Sequence, residues 1–78
     1  MQATEPITAT GIELTRDALI LVLGGRRVRI PWAKCSRRLA ASTEQERLNA
    51  GLSPGGYGIH WPLIDEDLSV NGHLKTHD

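Results

Sequence analysis

The sequence has little of several residue types, and each shortage excludes a class of protein. It contains one cysteine, two tryptophans, one tyrosine and no phenylalanine. One cysteine excludes an internal disulfide framework and a cysteine-rich zinc site, and it suits a reducing compartment. No apolar run approaches the roughly 20 residues of a membrane helix, and no basic segment followed by an apolar one marks a signal peptide. We therefore predict a cytoplasmic protein without a membrane association.

The chain also has no excess of positive or of negative charge. The chain has 78 residues, of which 9 are basic and 9 acidic, so its formal net charge is zero. This balance argues against direct nucleic-acid binding driven by electrostatics. A hydrophobic fraction of 40% suits one compact domain over residues 1–78, with flexible termini at 1–6 and 74–78. A chain this short has a thin core and often gains stability from oligomerisation.

A glycine pair marks the clearest structural signal in the sequence. Strand-like runs flank Gly24 and Gly25, and both residues of a two-residue hairpin loop can be glycines because glycine adopts positive φ without steric cost. A second turn at Arg16 and Asp17 completes three strands. Apolar residues then align in two rows across the strands, with Leu14, Leu19 and Ile30 in one row and Ile12, Leu21 and Val28 in the next. This agreement predicts an antiparallel meander.

The opposite face of this meander has an apolar centre and charged sides. Its rows contain Glu13, Ile20 and Arg29 and, next to them, Gly11, Val22 and Arg27. Because Ile20 and Val22 would not suit a fully solvated face, something should cover them. One possible cover is the C-terminal segment with Ile59, Leu63 and Leu68, and the other is a second copy of the chain. We expect the second, a symmetric homodimer in which Glu13 of one copy meets Arg27 or Arg29 of the other.

The rest of the chain predicts short helices and short strands. Helical spacing relates Trp32, Cys35 and Leu39, which predicts a first amphipathic helix. A second helix is expected over residues 43–50, with a capping box formed either by Ser42 and Gln45 or by Thr43 and Glu46. Residues 57–61 and 68–70 read as a strand pair. The predicted class is α+β, a small antiparallel meander with one or two short helices and a C-terminal short strand pair.

One cluster of side chains could support chemistry. His60, Asp65, Glu66 and Asp67 could bind a divalent cation or act as an acid/base pair in a small metal-dependent hydrolase or nuclease. Their spacing does not match a defined ligand set. We therefore expect the acidic residues to accept backbone amides in a turn. No catalytic residue, metal site or cofactor is predicted.

Basic residues are concentrated in one part of the sequence. Seven of the nine lie between Arg26 and Arg47, and Arg27, Arg29, Arg37 and Arg38 are candidates for contact with an acidic partner. Arginine on an edge strand also guards against edge-to-edge aggregation, which is the alternative interpretation. Cys35 lies beside Lys34, Arg37 and Arg38, which would favour a reactive thiolate. Its place in the apolar stripe favours a packed cysteine instead.

Residues 58–70, with the sequence Gly-Ile-His-Trp-Pro-Leu-Ile-Asp-Glu-Asp-Leu-Ser-Val, resemble the C-terminal signature of a small bacterial family. That family is catalogued as domain of unknown function 2442. Further points of likeness are the Ile30-Pro31 strand end, the Arg38-Leu39 pair and the polar stretch over residues 41–47, so the resemblance covers about residues 8–74. The sequence departs from the pattern at Arg37, where a proline is expected, which affects the shape predicted for the first helix.

The resemblance implies an α+β fold with a small antiparallel sheet and helices on one side, and it implies no established catalytic activity. Relatives look like stand-alone proteins or domains joined to a helix-turn-helix, for which this chain has no room. Some are encoded next to a protein of the family catalogued as domain of unknown function 4160, an arrangement similar to toxin–antitoxin pairs.

The expected function is therefore a non-enzymatic, antitoxin-like interaction or regulatory module that binds a small partner protein. The alternatives are a mobile-element inhibitor of a host defence nucleoprotein complex, such as an anti-CRISPR, and the small hydrolase or nuclease. The residues expected to carry interaction are Glu13, Ile20, Val22, Arg27, Arg29, Arg37 and Arg38. The residues expected to form a structural signature are His60, Trp61, Pro62, Asp65, Glu66 and Asp67. Among the latter, Trp61 is expected to be a core residue because a tryptophan can bury about 200 Å².

Overall fold

The computed structural model describes residues 8–72, which contain two antiparallel sheets of three strands each. The first sheet has the order β1-β2-β3, with β1 at Gly11–Leu14, β2 at Ala18–Val22 and β3 at Arg27–Pro31. Three short helices follow, α1 at Trp32–Cys35, α2 at Arg37–Ala40 and α3 at Glu44–Arg47. The second sheet has the order β4-β5-β6, with β4 at Gly51–Leu52, β5 at Gly58–Trp61 and β6 at Glu66–Ser69. The α+β class is confirmed, whereas the predicted flexible termini lie outside the described residues.

The register of the first sheet agrees with the predicted one. Its paired apolar positions are Ile12 with Leu21, Leu14 with Leu19, Leu19 with Ile30 and Leu21 with Val28. The amide of Leu23 donates to the carbonyl of Arg26 at 2.8 Å, which closes the loop of two glycines. Neither Gly24 nor Gly25 has a positive φ, however. The predicted strand pairing is correct, but the positive φ angles expected at the two glycines are wrong. Glycine permits either sign of φ and does not select one.

A threonine closes the first turn, where the sequence has no favoured turn pair. The Thr15 amide donates to the Ala18 carbonyl at 3.0 Å, and Thr15 Oγ1 accepts the Ala18 amide at 2.9 Å. The hydroxyl therefore caps the loop formed by Arg16 and Asp17, as Ser and Thr hydroxyls do in side-chain turns.

The predicted first helix is divided into two. Trp32, Cys35 and Leu39 are all buried, as their spacing predicted. Between them Ser36 is extended, with φ −168° and ψ 158°, and its hydroxyl accepts the Leu39 amide at 3.0 Å. A serine that caps a new helix competes with continuation of the old one, and this explains the break between α1 and α2.

The second predicted helix is correct in its start and too long at its end. Of the two possible capping boxes, that of Thr43 and Glu46 forms, while the Ser42 hydroxyl donates to the Arg38 carbonyl at 2.7 Å. The helix ends at a cap on Leu48 and does not reach residue 50. The reason is that Gly51–Leu52 pairs with β5 as a strand that the sequence did not reveal.

The core takes residues from both sheets, from α1 and α2, and from the segments before β1 and after β6. Its buried members are Ala9, Leu19, Leu21, Ile30, Trp32, Cys35, Leu39, Ile59, Trp61 and Val70. Trp61 is fully buried, and its ring meets that of Trp32 edge to face with centroids 6.2 Å apart. Its indole Nε1 donates to the Arg47 carbonyl at 3.0 Å. Burial with a satisfied N–H fits the structural role expected of this tryptophan.

One glycine joins the N-terminal segment to the second sheet. Gly56 ends the 3₁₀ turn Pro54–Gly56 with φ +76°, and its carbonyl accepts the Ala9 amide at 2.8 Å. A Cβ at this position would lie 2.0 Å from the Ala9 carbonyl oxygen. Glycine is therefore required here both for the backbone angle and for the close approach.

None of the helices in the described part of the chain is both long enough and apolar enough to cross a membrane.

Candidate interaction surface

The first sheet has one face in the core and one face outside it. We call the second the outer face; its residues are Gly11, Glu13, Ile20, Val22, Arg27 and Arg29. On β2 the residues alternate, with Leu19 and Leu21 each 1% exposed and Ile20 and Val22 only half-buried. Ile20 and Val22 also lie outside the core cluster and its packed neighbours.

Among the described residues, the three apolar side chains expected to cover the outer face lie elsewhere. Ile59 and Leu68 pack into the core with Leu19 and Leu21, and Leu63 is 52% exposed. This outcome contradicts the alternative in which these three residues fold over Ile20 and Val22. The physical reason is that the second sheet needs its own apolar side covered, and the Leu19 side of the first sheet provides that cover.

An ion pair crosses the outer face within one chain. Glu13 lies opposite Ile20, and Arg27 lies opposite Val22, on the two strands that flank β2. Their side chains form a salt bridge that runs diagonally over the central strand, with both groups well exposed. Glu13 is thus already paired with Arg27 of its own chain, although the prediction paired it with an arginine of another copy. Such an exposed pair adds little net stability, but it fixes the position of the charges.

The other predicted interaction residues fall into two groups. Arg29 is exposed on the outer face, opposite Ile20 on β3. Because β3 is an edge strand, Arg27 and Arg29 are also placed to guard that edge. Arg37 is exposed on α2, whereas Nη1 of Arg38 donates to the Ile64 carbonyl at 2.9 Å. Arg38 therefore links α2 to the β5–β6 loop and does not belong to the outer face.

The signature histidine pairs with one acidic residue on the second sheet. His60 lies opposite Asp67 across β5 and β6, with Nδ1 and Oδ1 2.8 Å apart. The expectation that these acids accept backbone amides in a turn is therefore wrong for Asp67, because it lies on a strand and meets an imidazole. Pro62 is in the exposed loop before β6, Asp65 closes that loop with φ +52°, and Glu66 begins the strand opposite Trp61.

Three of these side chains converge enough to consider a cation. Ligand atoms of His60, Asp65 and Asp67 lie within 4.8 Å of one another, and all three residues are exposed. One imidazole and two carboxylates could contact a divalent cation. The group does not line either of the two main concavities among residues 8–72.

The cysteine does not have the properties of a nucleophile. Cys35 is buried, its Sγ lies 3.7 Å from the Ile30 carbonyl oxygen, and burial raises the pKa of the thiol to about 12. The basic residues next to it in sequence do not produce a thiolate. Desolvation dominates the pKa because the thiol faces the apolar core and not the charged surface.

Sequence reasoning missed the particular role of Arg47. Its carbonyl accepts the Trp61 indole, and its guanidinium carbon lies 5.9 Å from the centroid of the Trp32 ring. Its Nε is buried without a hydrogen-bond partner. Both tryptophans are distant from Arg47 in sequence, so no local spacing could have indicated these contacts.

These features define a small α+β domain in which two three-stranded meanders share one core and the outer face holds two half-buried apolar residues outside that core. The chain belongs to the family described as "Protein of unknown function (DUF2442)", whose model matches residues 9–75. The resemblance carried by the His-Trp-Pro and Asp-Glu-Asp segments is thereby confirmed.

A crystal structure provides a similar fold. A protein of unknown function from Rhodospirillum rubrum ATCC 11170 matches 94% of this chain and 89% of its own length, with a TM-score of 0.80 and 25% sequence identity. A search of curated protein sequences found no match to the chain. The family and the fold are thus shared with proteins whose activity is not known.

Proposed function

We propose that this protein is a non-enzymatic interaction module of a regulatory, antitoxin-like kind, and that its outer face is the surface that binds. The observation that carries the proposal is the position of Ile20 and Val22. Neither residue belongs to the core cluster, yet both occupy the middle of a sheet face. β-branched apolar residues with charged neighbours are the usual composition of an interface centre and rim.

The occupant we propose for the outer face is a second copy of the chain. A two-fold axis through β2 would bring Ile20 and Val22 of both copies together, and two-fold contacts are the commonest closed assembly. Glu13 and Arg27 would then set the register, since each copy presents one charge of either sign to its partner. A small domain with a thin core gains stability from such a contact.

The antitoxin-like part of the proposal is supported by the family resemblance. Gene neighbourhoods in which relatives accompany a second small protein are similar to those of toxin–antitoxin pairs. Arg29 adds a positive charge to the outer face beyond the balanced Glu13 and Arg27 pair. A dimer that retains an exposed arginine at its rim would suit a small partner with acidic groups.

Sedimentation of the wild type and two variants tests the proposal. We expect the wild type to be a dimer at micromolar concentration and Ile20→Glu to be a folded monomer, because a carboxylate would be desolvated at the interface. The control is Leu63→Glu, which changes an exposed leucine away from the outer face and should remain a dimer. A monomeric wild type would exclude the homodimer.

A folding defect in Ile20→Glu would instead assign Ile20 to the core. Val22→Ser provides the second test, since it removes apolar area from the outer face without a charge. Circular dichroism of each variant separates loss of association from loss of folding. A pull-down from the host then tests for the small partner, and recovery of a large nucleoprotein would favour the defence-inhibitor alternative.

A second candidate function is supported by the three converging ligand atoms of His60, Asp65 and Asp67. A metal-dependent hydrolase would use them to hold a cation and activate water. Their exposure makes this the weaker proposal, and a metal titration tests it below.

A further inference from the structure

A concavity of about 400 Å³ opens on the helical side of the molecule. Four elements meet there: the turn after β1, the end of β3 with the start of α1, the end of α2, and α3. The residues that matter for its chemistry are Arg16, Asp17, Trp32, Ala33, Ala40 and Arg47. Its size lies within the range of about 300–1,000 Å³ that small-molecule sites occupy.

Arg47 is held in place on one side of this concavity. Its backbone carbonyl accepts the Trp61 indole at 3.0 Å, and its guanidinium lies over the Trp32 ring. An arginine that stacks on an aromatic ring keeps its planar donors in a fixed orientation. The donors are therefore pre-positioned before any ligand arrives, which reduces the entropy lost on binding.

Arg47 also has a donor with no acceptor. Its Nε is buried, and no hydrogen-bond partner for it occurs among residues 8–72. A buried donor without an acceptor is unfavourable, and donors of a charged group are the most costly to leave unpaired. An oxyanion in the concavity would contact the guanidinium of Arg47 and balance the charge that this enclosed donor carries.

Arg16 brings a second guanidinium to the same concavity from the turn after β1. Asp17 contributes one negative charge, so the charged lining carries a net charge of +1. Ala33 and Ala40 make the remaining walls small and apolar. A second concavity, on α3, differs in its lining, which includes Glu44 and has no basic residue.

We propose that Arg16 and Arg47 form a binding site for a small oxyanion, a carboxylate or a phosphate group. Both groups match the planar, forked donors that each arginine presents. The site is separate from the outer face and does not depend on the proposed dimer.

Nuclear magnetic resonance of the full chain at constant ionic strength tests this site with inorganic phosphate and, separately, acetate. We expect saturable shifts of the Arg47 Nε–H and Trp32 indole N–H signals with at least one probe. Saturation by phosphate alone identifies a phosphate site, and saturation by acetate alone identifies a carboxylate site. Shifts that rise linearly without saturation for both probes would overturn the proposal.

Variants distinguish a built site from general attraction to positive charge. Arg16→Gln should weaken binding about tenfold, because it removes a charged hydrogen bond, and Asp17→Asn should strengthen it by removing repulsion. Arg37→Gln is the matched control, since it removes an exposed arginine outside the concavity and should leave the affinity unchanged. If Arg16→Gln and Arg37→Gln had the same effect, the proposal would be wrong.

Discussion

The two sheets use apolar residues differently, and the difference is the basis of the proposed interface. In the first sheet, β2 is apolar on both faces, with Leu19 and Leu21 in the core and Ile20 and Val22 outside it. In the second sheet, β5 buries Ile59 and Trp61 but turns His60 outward. The second sheet is thus complete with one apolar face covered, whereas the first retains apolar area beyond what its own core uses. Ile20 and Val22 are half-buried in this chain, and the proposed dimer would complete their burial.

The two glycine pairs show a similar contrast. Gly24 and Gly25 form a turn without positive φ, and a Cβ on either would meet no atom within 4 Å. Gly55 and Gly56 both have positive φ, and a Cβ on Gly56 would collide with the backbone of Ala9. The first pair is a local connection, and the second supports the contact between the N-terminal segment and the second sheet.

Removal of the tryptophan of the second sheet should have the largest effect on stability. Trp61→Ala is expected to cost about 3–5 kcal/mol of unfolding free energy, because it opens a cavity in a small core and leaves the Arg47 carbonyl without its indole donor. Urea unfolding followed by circular dichroism measures the loss.

The matched control for that change is Tyr57→Ala. Tyr57 is 55% exposed, so its removal should change stability by about 0.5 kcal/mol or less. If Trp61→Ala kept a native-like transition and lost only association, Trp61 would belong to an interface and the assignment to the core would be wrong.

Replacement of Gly56 should have the next largest effect on stability, and replacement of Gly24 should have a much smaller one. Gly56→Ala is expected to cost about 3 kcal/mol, since it combines a positive φ with a backbone collision. Gly24→Ala should leave stability unchanged or raise it by about 0.4–1 kcal/mol, because alanine restricts the unfolded chain more than glycine does. Thermal and urea unfolding of both variants measure the change in stability. An equal loss of unfolding free energy at the two positions would contradict the expected difference between the two glycine pairs.

The smallest expected effect concerns metal binding on the outward side of the second sheet. We expect no stoichiometric heat when Mg²⁺, Mn²⁺ or Ca²⁺ is titrated into the protein, because His60, Asp65 and Asp67 are all exposed to solvent. A one-to-one heat that disappears in Asp65→Asn and persists in Glu66→Gln would contradict this expectation and favour the hydrolase.

Much of the first sheet could be predicted because its information is local. The rows of Leu14, Leu19 and Ile30 follow from the alternation of side chains and from the position of two short turns. A shift of one residue would move these apolar side chains to the other face, so a single register is consistent with the pattern. The outer face with Ile20 and Val22 follows from the same alternation.

The second sheet was predicted only in part, because its information is distant in sequence. The sequence predicted β5 closely, but it placed the last strand at residues 68–70, whereas β6 begins earlier, at Glu66, and ends at Ser69. Gly51–Leu52 has two residues and forms a strand only through its pairing with β5. Its formation also decides where α3 ends. Strand pairs of this length depend on the surface against which they pack.

The sequence by itself therefore determined the family, the α+β class, the meander with its register, and the apolar stripe that buries Trp32, Cys35 and Leu39. Alternation, helical spacing and a specific signature segment are all readable without coordinates. Only the tertiary structure decided which sheet face is covered, which capping box forms, and that Arg47 stacks on Trp32 while it accepts the Trp61 indole. These outcomes depend on contacts between residues far apart in the chain, where several partners satisfy the same local pattern and packing selects one of them.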